Sequence, residues 1–480
     1  MAGKKKTAAA PDWRVRIRMY RKWLGDCFLL SFRNGDGLSH ILIDCGALSG
    51  TPDGKAKLQQ AVRNIHAETG GKLDALVVTH EHWDHVSGFS DALDDFQQLK
   101  IGEVWAAWTE DPDQDIAQES KKKIRNRLQA VHLALQRFSQ SDSADDQMRG
   151  AALAGMLGFF PLEASASLGV FSEQTDAAMK AALSLGKSKL LDPGDVVERK
   201  WLPGVRVYVL GPPKDIAALH NLKGDEKTDM YGGKDALAAA VEMSFAAAAA
   251  AGSPAGEVDR YAPFDRYLQW GAGEWSNSKG WPKLAKSYAV EPQRRIDRDW
   301  LNAAAELALQ LDSYTNNTSL ALAFELTGTK EVLLFTGDAQ IGNWLSWADV
   351  EFPANGDAKA PTAADLLSRT IFYKVGHHGS HNATLRSGGL ESMRSPGLVA
   401  AIPVDEEFAH RPKGGCPNGW DMPAAPLLKA LTERTKGRVL RADGDLPNGA
   451  KKPAALTDAE WRKFCNAVHL DEHYVEYCIR

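Results

Sequence analysis

A short apolar run that ends in closely spaced imidazoles and carboxylates sets the strongest limit on this chain. Ala75-Leu76-Val77-Val78 reads as a buried strand, and Thr79-His80-Glu81-His82-Trp83-Asp84-His85 follows it directly. In extended backbone His80 and His82, two apart, point to the same side, and Asp84 and His85 can turn toward a neighbouring position. Imidazole and carboxylate are the ligands a divalent ion such as zinc takes, and a hydrolytic metal pair also needs a bridging carboxylate. The HExxH pattern is excluded, because position 84 is Asp where that motif needs His. Whatever the fold, it must bring distant partners to the carboxyl end of one strand.

The flanking sequence supplies layers of strand and helix. Val15 to Met19 alternates apolar and basic residues, and a second apolar strand runs through Cys27 to Phe32 after Gly25. His40 to Gly46 reads as a third, with Asn34-Gly35-Asp36-Gly37 a hairpin signal between the last two. Leu58 to His66 has helical spacing, Leu73 to Val78 returns as a strand, and Ile101 to Trp108 adds another. From about residue 111 to 190 the chain turns rich in Ala, Gln, Lys and Ser, which reads as a largely helical insertion. Strands resume before Gly211-Pro212-Pro213, and a second insertion spans about 214–298 with an alanine run and Trp270, Trp275 and Trp281. That stretch reads as a solvated excursion, a lid or a docking surface. Beyond it, Ser319 to Leu326, Glu331 to Phe335, Ile371 to Val375, Leu398 to Val404 and Val439 to Ala442 read as strands, and Pro426 to Thr435 as a helix. The expected domain is 13–445, preceded by a disordered basic leader (1–12) and followed by a C-terminal extension (446–480) that packs on it.

Composition excludes several classes. A net charge of -5 gives no overall pull toward nucleic acid, although a local basic groove stays compatible with it. No stretch approaches the roughly 20 apolar residues of a membrane span. Five scattered cysteines (Cys27, Cys45, Cys416, Cys465, Cys478) with no CxxC spacing point away from a disulfide framework and toward a reducing cytoplasm.

Two later motifs match the first in kind. Thr336-Gly337-Asp338 ends the Leu-Leu-Phe strand, which makes Asp338 the natural bridging carboxylate. Gly376-His377-His378-Gly379-Ser380 again puts imidazoles at a strand's carboxyl end, with glycines that allow close backbone approach. Together Thr79–His85, Thr336–Asp338 and Lys374–Ser380 resemble the metallo-β-lactamase superfamily, more narrowly its competence-protein-like branch, the soluble domain of DNA-uptake channels. Leu24–Leu29, Ile41–Gly46, Val209–Pro213 and Asn316–Leu320 support the resemblance in the expected order.

The resemblance implies an α+β fold, a four-layer αββα sandwich interrupted by the two insertions, with the site at one edge of paired sheets. It implies two zinc ions, with manganese the alternative. His80 and His82 would hold the first, Asp84, His85 and His377 the second, and Asp338 would be shared. A third histidine for the first metal is missing: His132, in an amphipathic helix, and His220, in the second insertion, read as surface residues. Asp84, as a ligand, and His410, as general acid or phosphate contact, are the candidate catalytic residues. His378, Ser380 and Lys374 are the candidate substrate contacts. The expected activity is hydrolysis of phosphodiesters by a metal-bridging hydroxide, with single-stranded nucleic acid among the substrates considered and no membrane partner. Hydrolysis of carboxylic esters, lactones or amides, and a non-catalytic metal-stabilised binding protein, are the alternatives.

Overall fold

The computed structural model describes residues 13–35, 37–139, 173–219, 310–354, 359–411 and 419–480, with Ala308 and short runs between 147 and 160. The expected leader and most of the second insertion therefore lie outside the described residues.

Among the described residues, fifteen strands form two sheets. The first contains β1 (Val15–Tyr20), β2 (Phe28–Asn34), β3 (Gly37–Ile43), β4 (Lys72–Val77), β5 (Lys100–Ala107), β6 (Lys187–Leu191), β14 (Val468–Leu470) and β15 (Tyr474–Ile479). Their spatial order is β14-β15-β1-β2-β3-β4-β5-β6. The second contains β7 (Val196–Val197), β8 (Val205–Gly211), β9 (Ala321–Leu326), β10 (Glu331–Phe335), β11 (Thr370–Lys374), β12 (Val399–Ile402) and β13 (Val439–Arg441), in the order β13-β12-β11-β10-β9-β8-β7.

The strand sequences are apolar on both faces because both faces are covered. In β2, Phe28, Leu30 and Phe32 enter the core between the sheets, while Leu29 and the preceding Cys27 face a helical layer. In β9 and β10, Leu322, Phe324, Leu333 and Phe335 meet them from the other sheet, and Ala323 and Leu334 turn outward. Phe28 meets Phe335 edge-on at 5.7 Å, and Phe32 stacks on Phe324 at 6.0 Å. Helix Gly54–Thr69, the short helices after His82 and helix Glu173–Ser184 cover the first sheet. Helices Asp115–Ser139, Ile341–Ser346, Ala363–Ser368 and Ala425–Arg434 cover the second. The order is helix, sheet, sheet, helix, the α+β sandwich expected from the sequence.

Strands β3, β4, β5 and β6 run parallel, as do β10, β11, β12 and β13. Loops at the carboxyl ends of parallel strands are where such sheets place their ligands. Here β3, β4, β10 and β11 end in Asp44, the Thr79–His85 loop, Asp338 and the His377–His378 pair.

Residues after 445 contribute to the sheet itself. β15 pairs antiparallel with β1 from Val15↔Ile479 to Tyr20↔Tyr474, and buried Arg18 on β1 is held by Glu476 on β15.

Candidate metal centre

The first loop is built on Asp44. The Thr79 backbone N–H and hydroxyl donate to its two carboxylate oxygens at 2.8 and 2.7 Å. Asp44 also accepts from His85 Nδ1 at 2.8 Å, which fixes the ring with Nε2 turned inward, 3.1 Å from Asp338 Oδ2. The loop can lie this low because position 46 is glycine: a Cβ there would meet the Asp84 carbonyl carbon at 2.3 Å. His80 and His82 converge from the same segment, with His80 Nε2 3.0 Å from His82 Nδ1. The opposite nitrogen of His80 lies 3.2 Å from Ser319 Oγ, which itself accepts from the Asp338 N–H at 3.0 Å.

Asp338 is fixed from beneath. Its Oδ1 accepts from Lys374 Nζ at 2.9 Å and from the His377 backbone N–H at 2.8 Å. Lys374 is buried and also pairs with Asp26. Its cation thus sits below the carboxylates, spent on them rather than facing a substrate. Gly337 has φ +54, and a Cβ there would approach Ser319 and Thr79 to 2.9 Å, so the bend that delivers Asp338 depends on glycine.

The two adjacent histidines diverge because both have left-handed backbone, with φ 44 at His377 and 52 at His378. His378 donates from Nδ1 to the Pro403 carbonyl at 2.7 Å, and its Nε2 lies 2.8 Å from Asp84 Oδ2. A ring nitrogen whose partner N–H is engaged can face a carboxylate this closely only with a cation between them, a proton or a metal ion. His378, Asp84 and Asp338 offer ligand atoms within 4.8 Å of one another, as do His80, His85 and Asp338. His377 turns the other way. Its Nδ1 lies 2.8 Å from Ser380 Oγ and 3.3 Å from Gln340 Nε2, and its Nε2 lies 3.9 Å from Asp312 Oδ2. The ring that lies beside Asp84 is thus that of His378 rather than His377, and His377 faces Asp312, a carboxylate that sequence reasoning left out.

Charge in this site is strongly conditioned by burial. Burial lowers the His80 imidazole well below its ordinary value, takes His82 down to about 3 and His377 to about 4. Burial opposes charge on His85 too, but Asp338, Asp26, Asp84 and Asp44 outweigh it and raise that ring. For Asp312, burial and then the repulsion of Asp84 and Asp338 push the carboxyl up to about 8.

Unpartnered buried atoms decide whether this residue set fits metal ions. Asp26 Oδ1, His82 Nε2, Asp84 Oδ1, His85 Nε2, Asp312 Oδ1, Asp338 Oδ2 and His377 Nε2 are all buried without a hydrogen-bond partner. Buried polar atoms are ordinarily satisfied, because each orphan costs about 1–3 kcal/mol. Seven in one cluster, all nitrogen or carboxylate oxygen, match the donor set of divalent ions. The residues fit.

Aromatic side chains wall the histidines. Phe160 meets His82 edge-on at 4.8 Å; Phe159 lies 5.6 Å from His82, 5.9 Å from His377 and 5.3 Å from Trp420. Both phenylalanines come from the first insertion. Its helix Asp115–Ser139 also reaches the metal loop, where Lys121 pairs with Glu81 at 3.4 Å and with Glu110.

The structure thus brings together His80, His82, Asp84, His85, Asp338, His377, His378, Ser380 and Lys374. It does not bring His410 to them: that side chain is 42% exposed, 3.9 Å from Glu406. The His132 side chain and His220 lie outside the described residues. Sequence reasoning missed Asp312 and the supporting Asp26 and Gln340. Asp312 follows no strand and stands in a plain Leu-Asp-Ser context, so no local signal marks it.

Fold and site define a sandwich of two sheets with a divalent-metal-type centre at the carboxyl ends of their parallel strands. Residues 21–129 match the family model of the metallo-beta-lactamase superfamily, a stretch that holds the His80–His85 loop. The superfamily implies a metal-dependent hydrolase. No curated protein matches the chain. Among the described residues, no helix is long and apolar enough to cross a membrane.

Proposed function

We propose that this protein is a hydrolase that works with two divalent metal ions and acts on phosphodiesters. His80, His82 and Asp338 would hold one ion and Asp84, His85, His378 and Asp338 the other, with His378 in the role that the sequence reading gave to His377. One observation carries the proposal: the buried, unpartnered Asp84 Oδ1, His85 Nε2 and Asp338 Oδ2 converge from loops of both sheets, with ligand atoms of His80 and His378 beside them. Bound there, the ions would supply hydroxide at neutral pH and offset the charge that builds on the attacked group's oxygen.

The chain's own residues prepare that chemistry. Asp44 and the Pro403 carbonyl hold His85 and His378 with Nε2 inward, so neither ring has to reorient. Lys374 and the His377 N–H keep Asp338 ionised and still. Although burial opposes its charge, Lys374 and His85 hold the Asp338 carboxyl well below the usual range. Phe159 and Phe160 limit water around His82 and His377.

The phosphodiester preference, the choice of zinc, with manganese second, and single-stranded nucleic acid as substrate rest on the resemblance of Thr79–His85, Thr336–Asp338 and Lys374–Ser380 to the superfamily and its competence-protein-like branch, and a cytoplasmic setting rests on the scattered cysteines. One observation favours ester or lactone substrates instead. Lys374, the buried cation of the centre, is spent on Asp26 and Asp338, and the faces of His82 and His377 are aromatic. Turnover of bis-p-nitrophenyl phosphate, single-stranded DNA and a lactone panel by zinc-loaded protein and its Asp84→Ala variant separates the readings. The phosphodiesterase reading predicts Asp84-dependent turnover of the first two; turnover of lactones alone overturns it.

A further inference from the structure

The chain from 310 to 317 is helical and leads into β9, and it carries Asp312 to the rim of the centre. Asp312 is partly buried: its Oδ1 is shielded from solvent without a geometric hydrogen-bond partner, Oδ2 accepts from Asn316 Nδ2 one helical turn away at 3.1 Å, and the Gln340 amide lies against the same carboxyl. Among the described residues its ion-pair neighbours are two histidines, His82 Nε2 at 4.0 Å from Oδ1 and His377 Nε2 at 3.9 Å from Oδ2. No Lys or Arg among the described residues pairs with Asp312, and a largely shielded carboxyl without one costs stability unless another group uses it.

The geometry of His82 supplies one. Its Nδ1 lies against His80 Nε2, so these two nitrogens form one corner of the centre. A neutral imidazole that offers the Nδ1 lone pair carries its proton on Nε2. That nitrogen is buried and unpartnered and lies 4.0 Å from the unpartnered oxygen of Asp312, a gap that a small side-chain shift closes to a hydrogen bond. We infer that Asp312 is the positioning residue of the first metal site: it accepts from His82 Nε2–H and holds the ring in the tautomer that presents Nδ1 to the ion. The inference rests on the metal-centre reading above. It also gives the site a carboxylate behind its histidine where a further histidine ligand was sought, and it ties the first metal to the helical segment that precedes β9.

The test uses full-length protein with 15N-labelled histidine, zinc and a competing chelator, in wild type, Asp312→Asn and Asp312→Ala. Asp312→Asn is close to isosteric and removes a carboxyl that its surroundings already disfavour as an anion, so the metal-free variant should melt no lower than wild type. The expected result is one zinc bound roughly 10- to 100-fold more weakly in Asp312→Ala, less so in Asp312→Asn, with the second zinc unchanged. The His82 Nε2–H resonance, shifted downfield by a carboxylate acceptor in zinc-loaded wild type, should move upfield in both variants. Both zinc affinities within twofold of wild type in both variants, or an unmoved His82 resonance, would overturn the inference and leave the metal centre standing. A folded wild type that binds no zinc would overturn both.

Discussion

Lys374 carries more of the site's electrostatics than any other single residue. It is buried between Asp26 and Asp338 and donates also to the Gly337 carbonyl at 2.9 Å. Lys374→Met keeps the volume and strands two carboxylates, so it should destabilise the metal-free fold by about 3–5 kcal/mol in urea unfolding. Adding Asp26→Asn should recover part of that loss; an unchanged midpoint for the single variant would show that the carboxylates do not need the cation. The same residue marks how far side chains can be assigned from sequence. His80, His82, Asp84 and His85 are legible because their ligand spacing is local. Lys374 was expected at the substrate because a lysine before Gly-His-His carries no sign of depth. His377 and His378 are interchangeable in sequence, and only the left-handed turn at both sends one ring to Asp84 and the other to Asp312.

At the scale of elements, strands with both faces covered were legible as apolar runs, among them β2, β4, β9, β10 and β12. Those at the rims were not. β6 begins Lys187-Ser188-Lys189 because edge strands carry charge, and it lies inside the stretch expected to be an insertion. β14 and β15 were hidden in a C-terminal extension, since Tyr474–Ile479 is short, carries Glu476 at its centre and borrows its burial from β1. Deleting residues 468–480 should therefore expose the β1 edge and leave Arg18 without Glu476. The expected outcome is a lower melting temperature and loss to the insoluble fraction; a soluble variant melting as wild type would contradict the pairing. His40 on β3, buried beside Ser31, sets a pH dependence. Burial lowers its pKa, so the unfolded chain takes the proton first. Its contribution is complete above about pH 6.5 and is lost as pH falls below that value. His40→Gln should flatten the dependence of the urea midpoint between pH 7 and 5, and a slope equal to wild type would contradict the assignment.

For the whole molecule, the centre exists only when the two sheets have packed, since its residues come from loops of both and lie far apart in sequence. Ions that bind the native state alone would then stabilise the whole chain, by about 4 kcal/mol at a thousandfold excess over the dissociation constant. Chelation should lower the melting temperature cooperatively, and re-addition should restore it. The sandwich and the first loop were readable because strands and ligand spacing are local patterns. The positioning carboxylates were not, because Asp312 acquires meaning only through the rings that tertiary packing sets beside it.

The most direct test of this account is the metal content of the purified chain after equilibration with zinc and removal of the unbound ion. About two ions per chain are predicted, falling below one in Asp338→Ala. A wild-type chain that stays folded, melts at the same temperature and holds no stoichiometric metal would contradict it.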